Sequence, residues 1–163
     1  MRSAVVSSAR RGGQKYDVEG VRWFRKAVDQ GEADGQSNFG WMYANGEGVL
    51  EEDVEAVEWW RKAADQGGAG AQYNLGWMYD NGNGVAEDDV EAVRWFRKAA
   101  EQGDASAQNS LGYMYANGKG VPEDYVEAYK WSILAAAQEN EAAKKNKGIY
   151  AGRMTAEQIA EAR

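Results

Sequence analysis

The chain contains no histidine and no cysteine. Without these residues it cannot form a Ser-His-Asp or Cys-His catalytic arrangement, a zinc finger or a disulfide framework. The lack of cysteine does not identify the compartment, because a helical array is stable without disulfides in either redox environment. Several common kinds of catalytic and structural site are therefore excluded at the outset.

Long apolar runs and clustered positive charge are also missing. No run of 18 apolar residues occurs, so no segment is expected to insert into a membrane. The net charge is −7 and basic residues alternate with acids, whereas a nucleic-acid groove needs clustered Lys and Arg. The apolar run near the N-terminus is too short for a signal peptide. The cytoplasm is therefore favoured, with the periplasm as the alternative if the N-terminus is truncated.

What the chain has instead is a repeat of 36 residues. Residues 53–88 laid over residues 89–124 carry the same amino acid at 25 of 36 positions, without a gap. A unit in the same register begins at Asp17, and a diverging one begins at Tyr125. A period of this length marks a solenoid, in which each unit buries its apolar face by stacking on its neighbours.

Each unit is predicted to form two helices. The first, called here the charged helix, is best seen at Asp89–Gln102; Asp88 is placed to cap it and Gly103 to end it. The second, called here the glycine helix, runs over Ala69–Asn81 and Ala105–Asn117 and ends at an Asn-Gly pair. A glycine inside a helix costs about 1 kcal/mol relative to alanine. Close helix–helix crossings are therefore expected at three such glycines, Gly40, Gly76 and Gly112.

These residues carry a family resemblance. The string Ala105-x-Ala-Gln108-x-x-Leu111-Gly112-x-x-Tyr115-x-x-Gly118-x-Gly120-Val121, followed by Asp124, Ala128 and Trp131, resembles a Sel1-like repeat, a relative of the tetratricopeptide repeats with slightly longer units. The match covers residues 17–138, and Arg153–Glu161 resembles the tail that closes many bacterial Sel1-like arrays. The resemblance implies an all-α fold, a right-handed α-solenoid of antiparallel helix pairs. It also implies a scaffold or adaptor that binds a protein or peptide.

The expected organisation has three parts. Residues 1–16 form a poorly ordered or irregular leader, residues 17–138 the repeat array, and residues 139–163 the capping helices. The array divides into a half unit at 17–32 and units near 33–68, 69–104 and 105–138. In the last unit Arg97-Lys98 is replaced by Ile133-Leu134, which the C-terminal segment is expected to cover.

The first charged helix has no partner helix before it in the sequence. Its apolar residues are candidates for self-association: Val21, Trp23, Phe24 and Val28. Three interpretations remain open. Residues 1–16 cover this face irregularly, the face pairs with a second copy to give a homo-oligomer, or the chain is a fragment of a longer array.

The ligand-binding positions are assigned from the resemblance, since in tetratricopeptide-like arrays the helix corresponding to the glycine helix lines the concave groove. The concave-face candidates are Ser37, Trp41, Asn45, Tyr73, Trp77, Asp80, Asn81, Asn109, Tyr113 and Asn117. They include a row of aromatic residues and a row of asparagines, which suit an extended segment or an amphipathic helix. The alternative is structural: the asparagines only end helices, and the aromatic residues pack between repeats.

No catalytic, metal or cofactor site is expected. No Ser-x-x-Lys motif occurs to pair a serine nucleophile with a base. Residues 80–84 resemble a calcium loop only in part, because Gly82 stands where an oxygen donor is needed and Val85 where glycine is needed. Carboxylates such as Asp88 are explained as helix caps. We therefore expect a non-catalytic binding module, with a structural self-associating module as the alternative.

Overall fold

The computed structural model describes Arg25, Lys26, Val28, Gly31 and residues 33–45 and 53–163. In these ranges it contains eight bounded helices: α1 Ala33–Asn45, α2 Asp53–Asp65, α3 Ala69–Asn81, α4 Asp89–Glu101, α5 Ala105–Asn117, α6 Tyr125–Ala137, α7 Glu141–Ala151 and α8 Ala156–Glu161. Arg25, Lys26 and Val28 are helical as well, and no strand occurs among the described residues. None of the helices described is long and apolar enough to cross a lipid bilayer.

The helices pack in the order in which they follow one another. The glycine helices α1, α3 and α5 each pack on the charged helix that follows them, namely α2, α4 and α6. Each charged helix also packs on the next glycine helix, which joins neighbouring pairs into one array. The prediction of an all-α solenoid built from helix pairs is confirmed.

The predicted helix ends are confirmed where the structure describes them. The Asp88 carboxylate accepts hydrogen bonds from the backbone N–H groups of Val90 and Glu91, both at 3.0 Å, at the start of α4. Gly103 follows this helix with a φ of 94°, a conformation that glycine adopts without steric cost. The glycine helices α3 and α5 have the predicted bounds.

The predicted close crossings lie at the glycines inside the glycine helices. A Cβ atom on Gly76 would lie 2.7 Å from Cδ1 of Phe96, which is buried in α4. A Cβ on Gly112 would lie 3.1 Å from the carbonyl oxygen of Ala128 in α6. Gly40 likewise meets the indole of Trp60 in α2. The absence of a side chain lets each glycine helix approach the charged helix after it.

A ladder of glutamines ties successive units together. Gln102 Nε2, just after α4, donates to the Gly67 carbonyl oxygen at 2.9 Å and to Gln72 Oε1 at 2.8 Å. Gln72 is only 4% exposed, and its own Nε2 donates to the Ala64 carbonyl oxygen at 3.2 Å. The same arrangement recurs 36 residues later, with Gln138 bonded to Gly103 and Gln108. The buried amides of Gln72 and Gln108 are thus hydrogen-bonded, as buried polar groups must be to avoid a large cost.

The C-terminal segment packs against α6. Tyr150 of α7 and Ala162 after α8 are buried in one cluster with Tyr129, and Ile133 packs against that cluster. Leu134 remains 48% exposed, so the expectation that the segment covers both apolar residues is wrong for Leu134. The reason is its position, which is equivalent to that of the exposed Lys98 on α4.

In the last unit, both residues of one hydrogen-bonded pair are replaced by apolar residues. In the middle units an arginine of the charged helix donates to a tyrosine hydroxyl of the next glycine helix, at 2.6 Å for Arg97 and Tyr115 and at 2.8 Å for Arg61 and Tyr79. Ile133 and Ala151 lie 36 residues beyond Arg97 and Tyr115. Both pack against the C-terminal cluster, so these two positions contribute apolar packing where the earlier units have a hydrogen bond.

Candidate functional site

Three aromatic side chains occupy equivalent positions on the glycine helices. Trp41 of α1 is 51% exposed, Trp77 of α3 is 44% exposed and Tyr113 of α5 is 48% exposed. Because they lie 36 residues apart in a repeating array, they form a row on one face, called here the aromatic row. Large aromatic side chains are ordinarily buried to a greater extent, so their shared exposure singles this face out.

The first member of the row is held by the core behind it. The Trp41 ring meets the Trp60 ring edge-to-face, with centroids 5.7 Å apart and an interplanar angle of 83°. Trp60 is 3% exposed, and its indole N–H donates to the Ser37 carbonyl oxygen at 3.1 Å. The candidate residue Ser37 therefore contributes through its backbone. An exposed ring supported in this way is a rigid contact surface.

The asparagine row performs a structural task that repeats without variation. Asn45, Asn81 and Asn117 each donate a side-chain N–H to the carbonyl oxygen four residues earlier, at 2.8 Å in every case. These carbonyls belong to the residues of the aromatic row, so each asparagine side chain folds back onto the last turns of its own helix. Each asparagine is exposed and keeps its side-chain oxygen and a second N–H for a ligand. The three asparagines thus have a structural role at the helix ends, and their role in ligand binding stays a prediction.

Two further candidates lie one turn before the aromatic row. The Tyr73 ring packs 5.8 Å from the Phe96 ring and is half-buried. Asn109 Oδ1 accepts a hydrogen bond from Asn146 Nδ2 of α7 at 3.0 Å. Tyr73 thus borders the core, and Asn109 marks the place where α7 reaches the candidate face.

Asp80 takes part in an ion pair between repeats. Its carboxylate accepts a hydrogen bond from Lys119 Nζ at 2.8 Å, and the same ammonium lies 3.5 Å from the Asp89 carboxylate. The hydrogen bond to Asp80, followed by the charges of both carboxylates, raises the pKa of Lys119 and outweighs the opposing effect of burial. A ligand that used Asp80 would have to compete with this contact.

The repeat units of the chain match one protein family. Residues 14–32, 33–68, 69–104 and 105–140 each match the family model of the Sel1 repeat. The chain belongs to the Sel1 repeat family. Proteins built from Sel1 repeats are generally non-catalytic scaffolds for protein interaction. Within the described ranges, no three Asp, Glu, Cys or His side chains come together in an arrangement that could hold a metal ion.

Solved Sel1 repeat structures resemble the chain over most of its length. A Sel1 repeat protein from Oxalobacter formigenes is 36% identical with a TM-score of 0.76; the match covers 81% of this chain and 54% of that one. A protective antigen of uropathogenic Escherichia coli strains, displaying an SLR fold, is 34% identical with a TM-score of 0.67. That match covers 89% of this chain and 39% of the antigen. This chain therefore spans about half of these relatives or less.

A third structure supports the fold alone. The cysteine-rich protein B of Helicobacter pylori is 24% identical with a TM-score of 0.63, and the match covers 82% of this chain and 97% of that one. No curated protein sequence matches the chain.

The helix α7 lies beyond the last Sel1 repeat match, which ends at residue 140, and packs on α6 as a fourth glycine helix, a position that was not predicted from the sequence. Asn140 caps α7 by accepting from the Ala143 N–H at 2.9 Å, as Asp104 caps α5 36 residues earlier. Gly148 stands 36 residues after Gly112. Ile149 stands 36 residues after Tyr113 and is 52% exposed, so it extends the aromatic row. Two features of the sequence could have predicted this helix: the capping residue Asn140, and Gly148 at the repeat distance from Gly112.

The self-association candidates are only partly described. Val21, Trp23 and Phe24 lie outside the described residues. Val28 is 1% exposed and packs in a cluster with Phe39 of α1 and Trp59 of α2. Val28 is thus covered within the chain by α1 and α2.

Proposed function

We propose that the chain is a non-catalytic scaffold that binds an extended protein segment along the aromatic row. The observation that carries the proposal is the repeated exposure of Trp41, Trp77 and Tyr113, about half of each side chain, on one face of the array. Rigid aromatic side chains lose little conformational entropy on binding and dominate the energetics of protein interfaces. The membership of the chain in a scaffold family supports the same function.

The flanking asparagines support an extended ligand. A segment lying across the helices exposes backbone N–H and C=O groups, and an asparagine side chain can donate to one and accept from the other. Asn45, Asn81 and Asn117 stand beside the aromatic row at the repeat distance. The proposed groove thus offers an apolar contact and a polar contact in each unit.

Selection of peptides from a displayed library against the purified chain tests the proposal. The double variant Trp41→Ala/Trp77→Ala removes two members of the row, and Val54→Ala/Val90→Ala is the matched control. Val54 and Val90 are 60% and 64% exposed and lie one repeat apart at the start of charged helices. Circular dichroism verifies that each variant keeps its helicity.

We expect selected peptides to bind the parent and the valine control alike and to lose at least tenfold in affinity for the tryptophan variant. Truncating a central aromatic anchor costs about 2 kcal/mol or more. Equal binding to the folded tryptophan variant would refute a role for the row. Sedimentation over a range of dilutions shows separately whether a second copy of the chain covers this face.

A further inference from the structure

The fourth glycine helix changes the chemistry of the candidate face. One turn before each aromatic residue, α1, α3 and α5 carry the uncharged Ser37, Tyr73 and Asn109, and one turn after it they carry asparagine. The corresponding residues around Ile149 are Lys145 and Arg153. Residues four apart on a helix lie on the same face. The row therefore ends in the apolar side chain of Ile149, with Lys145 one turn before it on α7 and Arg153 two residues after the end of α7.

Contacts between helices place this basic end next to the aromatic row. Asn146 of α7 bonds Asn109 of α5 at 3.0 Å. Burial, followed by the charges of Tyr113 and Tyr125, raises the pKa of Tyr150 in α7. The segment from Lys145 to Arg153 is thus continuous with the face that holds Tyr113.

The two cations have no acidic partner in the part of the chain that the structure describes. Lys145 and Arg153 are exposed, and none of the described carboxylates forms an ion pair with either. The neighbouring Lys144, in contrast, pairs with Glu139 and Glu141. The Arg153 guanidinium lies 6.0 Å from the centre of the Tyr125 ring, a contact that orients it without neutralising it.

The two unpaired cations stand out because the chain as a whole is acidic. The chain carries a net charge of −7, so an acidic partner is repelled by most of the surface. Whereas Lys119 is paired with Asp80, Lys145 of α7 and Arg153 just after α7 lack an acidic partner among the described residues, and they lie at one end of the candidate face. Complementary charge at one end of an interface fixes the register and direction of a ligand more than it adds affinity.

We propose that the partner is an extended polypeptide segment with large apolar side chains along the row and acidic side chains at the end that lies on α7. This inference rests on the proposed function and adds the direction in which the segment binds. Two helices cannot lie closer than the roughly 8–10 Å of direct packing, so a row of four helices is at least about 25 Å long. An extended chain rises about 3.3 Å per residue, and a segment of about eight or nine residues spans that length.

A displayed library of random nine-residue peptides provides the test. It is selected in parallel against the parent chain, the charge-reversal variant Lys145→Glu/Arg153→Glu and the control variant Arg94→Glu/Lys130→Glu. The control changes the net charge by the same amount, but its residues lie on the charged helices α4 and α6. Selected peptides are then synthesised, and their affinities for all three proteins are measured by fluorescence anisotropy.

We expect Asp and Glu to be enriched at one end of the peptides selected by the parent and by the control. With Lys145→Glu/Arg153→Glu, Lys and Arg should replace them at the same end, and the acidic peptides should lose at least tenfold in affinity. Peptides that depend on Trp41 and Trp77 but show no acidic end would overturn this inference and leave the proposed function standing. A selection that yields no peptide dependent on the row would overturn both.

Discussion

At the scale of single residues, two glycines in equivalent types of helix have opposite surroundings. Gly76 in α3 faces Phe96, whose ring fills the space that a side chain would need. Gly148 in α7 has no atom within 4 Å of the position where a Cβ would stand. Gly76 permits a close helix crossing. Gly148 permits none, so its only effect is the lower helix propensity of glycine.

Replacing each glycine by alanine should therefore change stability in opposite directions. Gly76→Ala should destabilise the chain by about 1–3 kcal/mol, because overpacking at the buried Phe96 outweighs the better helix propensity of alanine. Gly148→Ala should stabilise it by up to about 1 kcal/mol, since only the propensity changes. Urea unfolding followed by circular dichroism measures both. A gain in stability for Gly76→Ala would show that the crossing at Phe96 is loose.

At the scale of elements, the glutamine ladder sets how one helix pair stands on the next. Gln102 at the end of α4 reaches back to the Gly67 carbonyl and to the buried Gln72 of α3. It thus joins the turn after α2 and the helix α3 to the end of α4. A polar contact of this kind has few alternative partners in an apolar interface, so it favours one register of the array.

Replacing Gln102 by alanine leaves the Gln72 side-chain oxygen without this donor. A buried acceptor that loses its partner costs about 1–3 kcal/mol, and we expect a value near the lower end because Gln102 itself is exposed. The neighbouring Glu101→Ala is the control, since Glu101 is exposed in the last turn of α4 and should change stability by less than about 0.5 kcal/mol. Denaturant titrations of both variants decide the matter. Equal midpoints would mean that water replaces the amide without cost.

The elements also show how far the sequence could predict the structure. The bounds of α3 and α5 were predictable because three copies of the pattern place the same Asn-Gly ending at the same repeat distance. The helix α7 was not recognised as a fourth glycine helix because its core positions diverge, with Lys147 and Tyr150 where α5 has Leu111 and Met114. Periodicity identifies an element only while the residues that bury it are retained.

The sequence predicted which repeated residues of the candidate site are exposed, but not which contacts they make with other repeats. Helical spacing alone places Trp41 and Trp77 on a face away from the core stripe, and the structure exposes both. The ion pair of Asp80 with Lys119 could not be foreseen, because Lys119 lies in a connection whose path is set by Gly118 and Gly120, with φ of 62° and 67°. Contacts between repeats that involve a connection depend on three-dimensional geometry that one repeat does not encode.

At the scale of the whole molecule, the array is stabilised by contacts between neighbours in sequence. Helices pack chiefly on the helix before and the helix after, and the glutamine ladder repeats at each junction. The stability of such an array is approximately a sum of repeat terms and junction terms. Adding one internal repeat adds one more junction, while the two ends of the array stay as they are.

Inserting a second copy of residues 69–104 directly after position 104 tests this additivity. The inserted unit repeats the junctions already present, because residues 53–88 and 89–124 carry the same amino acid at 25 of 36 positions. We expect a higher denaturant midpoint and a larger m-value, since m rises with the surface exposed on unfolding. A matched insertion in which the copies of Trp95 and Phe96 are alanine lengthens the chain equally but weakens the packing of the inserted unit, in which Phe96 meets Gly76. If both insertions unfold at the midpoint of the parent, the ends of the molecule and not its junctions determine its stability.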